Sequence, residues 1–150
     1  MMLKLKDLIY LSLQAVLFVL YVIPVQVEVF LLIDLSGWFW WFFIGIGVII
    51  GLLALLQLNT NLSPFPSPKH DSTLMTSGVF KYIRHPIYTA ILLVCFSYAM
   101  LNSNSWKLII SFSLLILFWF KSTYEEQLLR KKFPDYKAYQ SKTGRFFPKF

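Results

Sequence analysis

One cysteine and two histidines among 150 residues leave little to build metal or redox chemistry from. Cys95 sits inside an apolar stretch with no second cysteine to pair with, so there is no disulfide framework and no Cys/His metal spacing. Acidic residues are scarce as well, 7 against 14 Lys and Arg, and charged residues of both signs make up only 14% of the chain. With 57% hydrophobic residues, 19% aromatics and a mean hydropathy of +0.63, the chain carries more apolar surface than one small soluble core can bury. Period-2 alternation is absent, which excludes a membrane barrel. No glycine-rich phosphate loop stands between a strand and a helix.

What is present is a series of apolar runs. Trp38 to Leu58 carries no charge, and its length is about the 20 residues that a bilayer core demands. Leu8 to Leu32 is nearly as apolar, although Pro24 and Glu28 predict a kink and a buried or interfacial turn near its end. Two shorter runs, Ile87 to Met100 and Lys107 to Phe120, flank the polar turn Asn102-Ser103-Asn104-Ser105 and predict a hairpin with partly sunken ends. Lys4 and Lys6 before the first run imitate a secretory signal, but no small-residue cleavage site follows, so the run reads as a retained helix.

The expected fold is therefore an all-α integral membrane protein. It has about four transmembrane helices, a re-entrant-like short hairpin and a C-terminal cytoplasmic helical segment. Residues 1–58 form an N-terminal helix pair and 59–150 the core, within a single integrated domain. Gly45, Gly47 and Gly51 offer close helix approach, and Trp38, Trp40 and Trp41 suit the headgroup belt. The run Ser63-Pro64-Phe65-Pro66-Ser67-Pro68 reads as a stiff surface strap.

All Lys and Arg except Lys107 fall on one side of such a four-span topology. The positive-inside rule then places both termini and the polar clusters in the cytoplasm, which in a bacterium means the inner membrane. This pattern accounts for the net charge of +7 without invoking nucleic acid. The basic tail from Arg130 to Lys149 fits contact with an anionic leaflet.

The hairpin brings Arg84-His85-Pro86-Ile87-Tyr88, at the entry to one apolar run, level with Glu125-Glu126, at the exit of the next. Ionisable groups at membrane depth cost about 2.5 to 3.5 kcal/mol each on insertion scales, which makes this meeting point the candidate site. Taken singly, these residues also have plainer readings. Arg84 and His85 fit snorkelling interface residues, the two glutamates fit helical pairs with Arg130 and Lys131, and Tyr88, Tyr136 and Tyr139 fit belt aromatics.

The ordered set Leu74 to Phe80, Arg84-His85-Pro86-Ile87-Tyr88, Glu125-Glu126, Phe133-Pro134-x-Tyr136-x-x-Tyr139 and Thr143-Gly144-Arg145-Phe146-Phe147-Pro148 resembles the isoprenylcysteine carboxyl methyltransferase family, to which phospholipid methyltransferases are related. The resemblance covers roughly residues 59 to 150. It implies a membrane enzyme that moves a methyl group from S-adenosylmethionine, leaving S-adenosylhomocysteine, to a lipophilic or prenylated acceptor within the bilayer. By position it implies that Thr73, Leu74, Met75 and Phe80 line the nucleoside side of a cofactor pocket. His85, Pro86, Ile87, Tyr88 and Glu125 would hold the cofactor. Arg84 suits the cofactor carboxylate, and Glu125 or Glu126 its ammonium or hydroxyls.

Where the family places an acceptor-binding Arg, one turn before the first glutamate, this chain has Lys121, a point charge in place of a bidentate fork. Arg84, Lys121 and Glu126 are thus the expected catalytic set, with a carboxylate acceptor as the default. An amine headgroup and a small isoprenoid acid are the other acceptors in play. A membrane reductase using a nicotinamide dinucleotide is the alternative function, since sterol and enone reductases of similar architecture also carry an RHP-like segment. No metal is expected.

Overall fold

The computed structural model describes residues 5–27, 37–58, 63–68 and 71–149. Its helices are α1 (Leu5–Val22), α2 (Gly37–Leu58), α3 (Pro86–Leu101), α4 (Ser105–Lys132) and α5 (Tyr136–Lys142), with a 3-10 turn at Gly78–Lys81 and no strand among the described residues. Three of them, α1, α2 and α4, are long and apolar enough to cross a membrane; α3 is a shorter apolar helix. In space α2 packs on α3, α3 on α4 and α4 on α1, and Tyr21 of α1 also reaches α3 by donating to Cys95 O at 2.7 Å.

The first span ends earlier than its apolar run suggests. Pro24 disfavours helical backbone in the residue before it, and α1 stops at Val22 rather than kinking. Its C-terminal carbonyls, which lack intrahelical partners, are taken up by the hairpin turn instead. Trp106 Nε1 donates to Leu20 O at 2.9 Å and Lys107 Nζ to Tyr21 O at 2.7 Å. Just beyond, Asn104 Nδ2 donates to Val25 O at 2.9 Å. Glu28 and the expected end of this span lie outside the described residues, as does Lys4.

The largest departure is α4. The expected span ended at Phe120, where charged residues begin, whereas the helix runs unbroken to Lys132 and stops just before Pro134. Lys121, Ser122 and Glu126 do not mark an exit to water: all three are buried against other parts of the chain. At 28 residues the helix is about 42 Å long, so it carries Glu125 and Glu126 well within a continuous rod.

Two glycines answer specific demands. A Cβ on Gly47 would fall 2.9 Å from Val94 and 3.1 Å from the Ala90 carbonyl, which marks where α2 meets α3; Gly45, by contrast, faces open space. Gly78 has φ +58°, a left-handed value costing other residues about 1 to 2 kcal/mol, and a Cβ there would collide with Gln57. Gln57 Oε1 accepts from Val79 N at 3.1 Å, so α2 holds the turn that follows. Gly78→Ala is therefore expected to lower stability by about 2 kcal/mol, read as a fall in thermal midpoint in detergent, from φ strain plus loss of this bond.

The proline run is not a surface strap. Pro66 and Ser67 are buried, and the segment forms one wall of the cavities described next. Lys69 lies outside the described residues.

Candidate active site

The C-terminal segment is laced to the loop before α3 by backbone bonds. Arg84 N donates to Gly144 O at 2.8 Å, His85 N to Arg145 O at 3.1 Å and Gly144 N to Tyr82 O at 3.3 Å, with an isolated parallel bridge at Ile83 and Gly144. Thr89 Oγ1 adds a bond to Phe146 O at 2.8 Å. Pro86 takes the first helical position of α3, where its missing amide costs nothing, so the helix begins directly after His85.

At the centre lies Glu126, only 1% exposed. Its Oε1 accepts from Arg84 Nε at 2.8 Å and lies 3.1 Å from His85 Nε2. Its Oε2 accepts from Gln140 Nε2 at 2.6 Å and from Arg145 Nη2 at 3.4 Å. The Arg84 guanidinium also donates to the carbonyls of Gln140 and Thr143. This carboxylate therefore joins four elements: the loop, α4, α5 and the C-terminal segment.

Glu125, next in sequence, points elsewhere. Its Oε2 accepts from Tyr88 OH at 3.0 Å and sits 3.8 Å from His85 Nδ1, and its side chain keeps 27% exposure. His85, Tyr88 and Phe118 form a continuous stack, with centroids 5.4 Å and 4.6 Å apart and planes within 10°. His85 thus has one ring edge on each glutamate and is itself clamped by the stack.

Two cavities adjoin here and share a wall that includes Phe80, Arg84, His85 and Glu125. The first, about 120 Å³, is closed by Thr73, Leu74, Met75, the proline run, Tyr136 and Tyr139. The second, about 280 Å³, is bounded by Leu55, Pro86, Ile87, Tyr88, Ile91, Lys121 and Gln14 of α1. Of the residues expected to bind the cofactor, Thr73, Leu74 and Met75 line the first cavity, Pro86, Ile87 and Tyr88 the second, and Phe80, His85 and Glu125 both. Of the expected catalytic set, Lys121 lines the second cavity. Arg84 lies on the shared wall with its guanidinium committed to Glu126. Glu126 stands behind that wall and lines neither cavity.

Several contributors were not expected. Tyr136 and Tyr139 are not belt aromatics: Tyr136 is 1% exposed and Tyr139 OH donates to Phe80 O. Burial pushes the Tyr139 hydroxyl up to about 12 and raises that of Tyr136 further, so both stay neutral. Arg130 Nε turns to Gln140 Oε1 at 2.9 Å rather than to a glutamate on its own helix. Arg145 lies 4.3 Å over the Trp119 ring and donates to Thr123 Oγ1 at 2.9 Å. Gln14 could have been found, being the only amide within the apolar run of α1. Gln140 meets Glu126 through distant folding and leaves no local pattern, whereas Arg145 belongs to the motif from Thr143 to Pro148.

Residues 38–136 match the family model for phospholipid methyltransferases. No protein of curated function matches the chain. The matched span runs from the start of α2 to the first residue of α5. It contains the whole shared wall but leaves out α1, and with it Gln14.

Proposed function

The chain belongs to the phospholipid methyltransferase family, which includes the isoprenylcysteine carboxyl methyltransferases, and from that premise we propose that this membrane methyltransferase uses S-adenosylmethionine to methylate a lipophilic acid. The observation that carries the reading is the pair of cavities meeting at His85 and Glu125. Methyl transfer is an in-line displacement that needs donor and acceptor in contact, and two chambers with one common wall meet that need.

The first chamber suits the methyl donor. Leu74, Met75 and Phe80 offer an apolar face for a nucleoside, and Glu125 offers a partly open carboxylate for an ammonium or ribose hydroxyls. S-adenosylmethionine supplies a sulfonium-bound, electrophilic methyl group. A carboxylate acceptor is already ionised near neutral pH, so the protein has no proton to remove, and its residues only orient and neutralise.

The second chamber suits the acceptor. Ile87, Ile91 and Leu55 give it an apolar side, and beside the shared wall of Arg84, His85 and Glu125 Lys121 brings a cation that forms no ion pair with a carboxylate among the described residues. An acid fits that charge better than an amine headgroup, for which the Lys121 ammonium would be repulsive. Arg84 and Glu126 serve on this reading as the frame that fixes His85, not as groups touching substrate. The distribution of Lys and Arg supports a cytoplasmic site with both termini on the same side.

The test is to incubate membranes carrying the protein with methyl-labelled S-adenosylmethionine and separate base-labile esters from stable N-methyl products. Base-labile label is the expected result. Label confined to N-methylated phospholipid would overturn the carboxylate acceptor.

A further inference from the structure

Lys121 is 2% exposed, yet among the described residues no carboxylate forms an ion pair with it. Its Nζ donates to two neutral oxygens, Gln14 Oε1 at 2.6 Å and Pro64 O at 3.1 Å, and sits 5.5 Å from the centre of the Tyr88 ring. An ammonium has three donors, so this geometry leaves one for a ligand. It also leaves the positive charge without a counter-ion in contact, although Glu125, one turn further along α4, lines the same cavity with Arg84 and His85, and Glu125 and Asp7 both attract the ammonium from a distance. Asp7, the nearest acidic residue to Gln14 on α1, is buried two turns earlier in the helix, and Glu125 is bonded to Tyr88.

The helix supplying the amide is held firmly. Tyr10 of α1 stacks on Tyr124 of α4 with centroids 5.8 Å apart, and Lys6 lies over the same ring at 5.4 Å. Gln14 is thus presented to Lys121 by a docked helix rather than by a loop. That helix lies outside the span shared with the family.

We propose that Gln14 is a specificity-determining residue of the second cavity: its neutral amide holds Lys121 in place while leaving the charge unspent, so that the cavity selects a lipophilic anion over its uncharged counterpart. The identity of the acceptor class rests on the function proposed above; the role of α1 does not. A glutamate at position 14 has the same shape but would give Lys121 a permanent partner, and the anion would then have to compete with an internal carboxylate.

The experiment uses the full-length protein in detergent and two probes differing only in charge, an N-acetyl-S-farnesylcysteine and its methyl ester, with binding followed by calorimetry. Wild type is expected to prefer the acid. In Gln14→Glu the affinity for the acid should drop about tenfold or more while that for the ester changes little, because only the charge match has been altered. Gln14→Leu, which removes one tether from Lys121 without neutralising it, should weaken the acid by a smaller factor. The thermal midpoint of Gln14→Glu should not fall, which separates a lost charge match from a lost fold. An acid preference that survives unchanged in Gln14→Glu, or a wild type that binds neither probe or both equally, would overturn the proposal. Titration with S-adenosylmethionine in the same samples separates the two readings: a wild type that prefers the acid yet ignores the methyl donor refutes the proposed donor and leaves the role of Gln14 standing.

Discussion

Glu126→Ala is expected to cost about 3 to 5 kcal/mol of stability, because removing one partner of a buried ion pair strands the other. Arg84, with 9% side-chain exposure, would lose the one carboxylate it pairs with among the described residues, Gln140 and Arg145 would lose their bonds to Glu126, and His85 would keep only its 3.8 Å approach to Glu125. Against a total stability of about 5 to 15 kcal/mol for a typical domain, such a loss removes a large share of the folding margin. Glu126→Gln keeps the shape and one acceptor oxygen, so it should lie between the two. Thermal unfolding in detergent, followed by the yield of monodisperse protein, checks the order wild type, Glu126→Gln, Glu126→Ala. An alanine variant as stable as wild type would mean that the charged hub does not hold the C-terminal segment.

Glu125→Gln should behave in the opposite way. Its carboxylate keeps 27% exposure and has one short contact, from Tyr88, so stability should change by less than about 1 kcal/mol. Binding of the methyl donor should weaken by about 2 to 3 kcal/mol, or roughly 30- to 150-fold, since a charge-assisted bond to an ammonium or a pair of ribose hydroxyls is lost. Tyr88→Phe removes only the bond that orients Glu125 and should cost a few-fold in the same titration. Adjacent glutamates with opposite phenotypes, one in folding and one in binding, are hard to obtain from any arrangement other than a wall with one face on a cavity and one on the core. Equal donor affinity in Glu125→Gln and wild type would remove Glu125 from the site.

That division was not legible in the sequence, where Glu125 and Glu126 are the same residue type side by side. What separates them is about 100° of helical rotation, which aims one at the cavities and the other at Arg84. The pairing of Arg84 through Tyr88 with the two glutamates was legible, because two apolar arms of similar length around a polar turn return their ends to one level. The start of α3 was legible too, since Pro86 is favoured in a first helical turn and nowhere later.

The end of α4 was misjudged for a physical reason. Hydropathy treats Lys121 and Glu126 as groups seeking water, whereas each has its partners inside the protein: Gln14 and Pro64 for the first, and two arginines, a histidine and a glutamine for the second. Composition along one segment carries no information about which distant segments will supply those partners. The same holds for the proline run, whose alternating prolines lack amide donors and therefore look like an exposed strap, yet which contributes a carbonyl to Lys121 and two buried residues to the wall.

The central claim is that the wall formed by His85 and Glu125 receives a methyl donor, and calorimetric titration of the purified wild-type protein with S-adenosylmethionine and, separately, with NADPH tests it most directly. Saturable one-site binding of S-adenosylmethionine that NADPH does not displace is the predicted result. Binding of NADPH in its place, or no heat from S-adenosylmethionine under conditions where the protein remains folded, would contradict it.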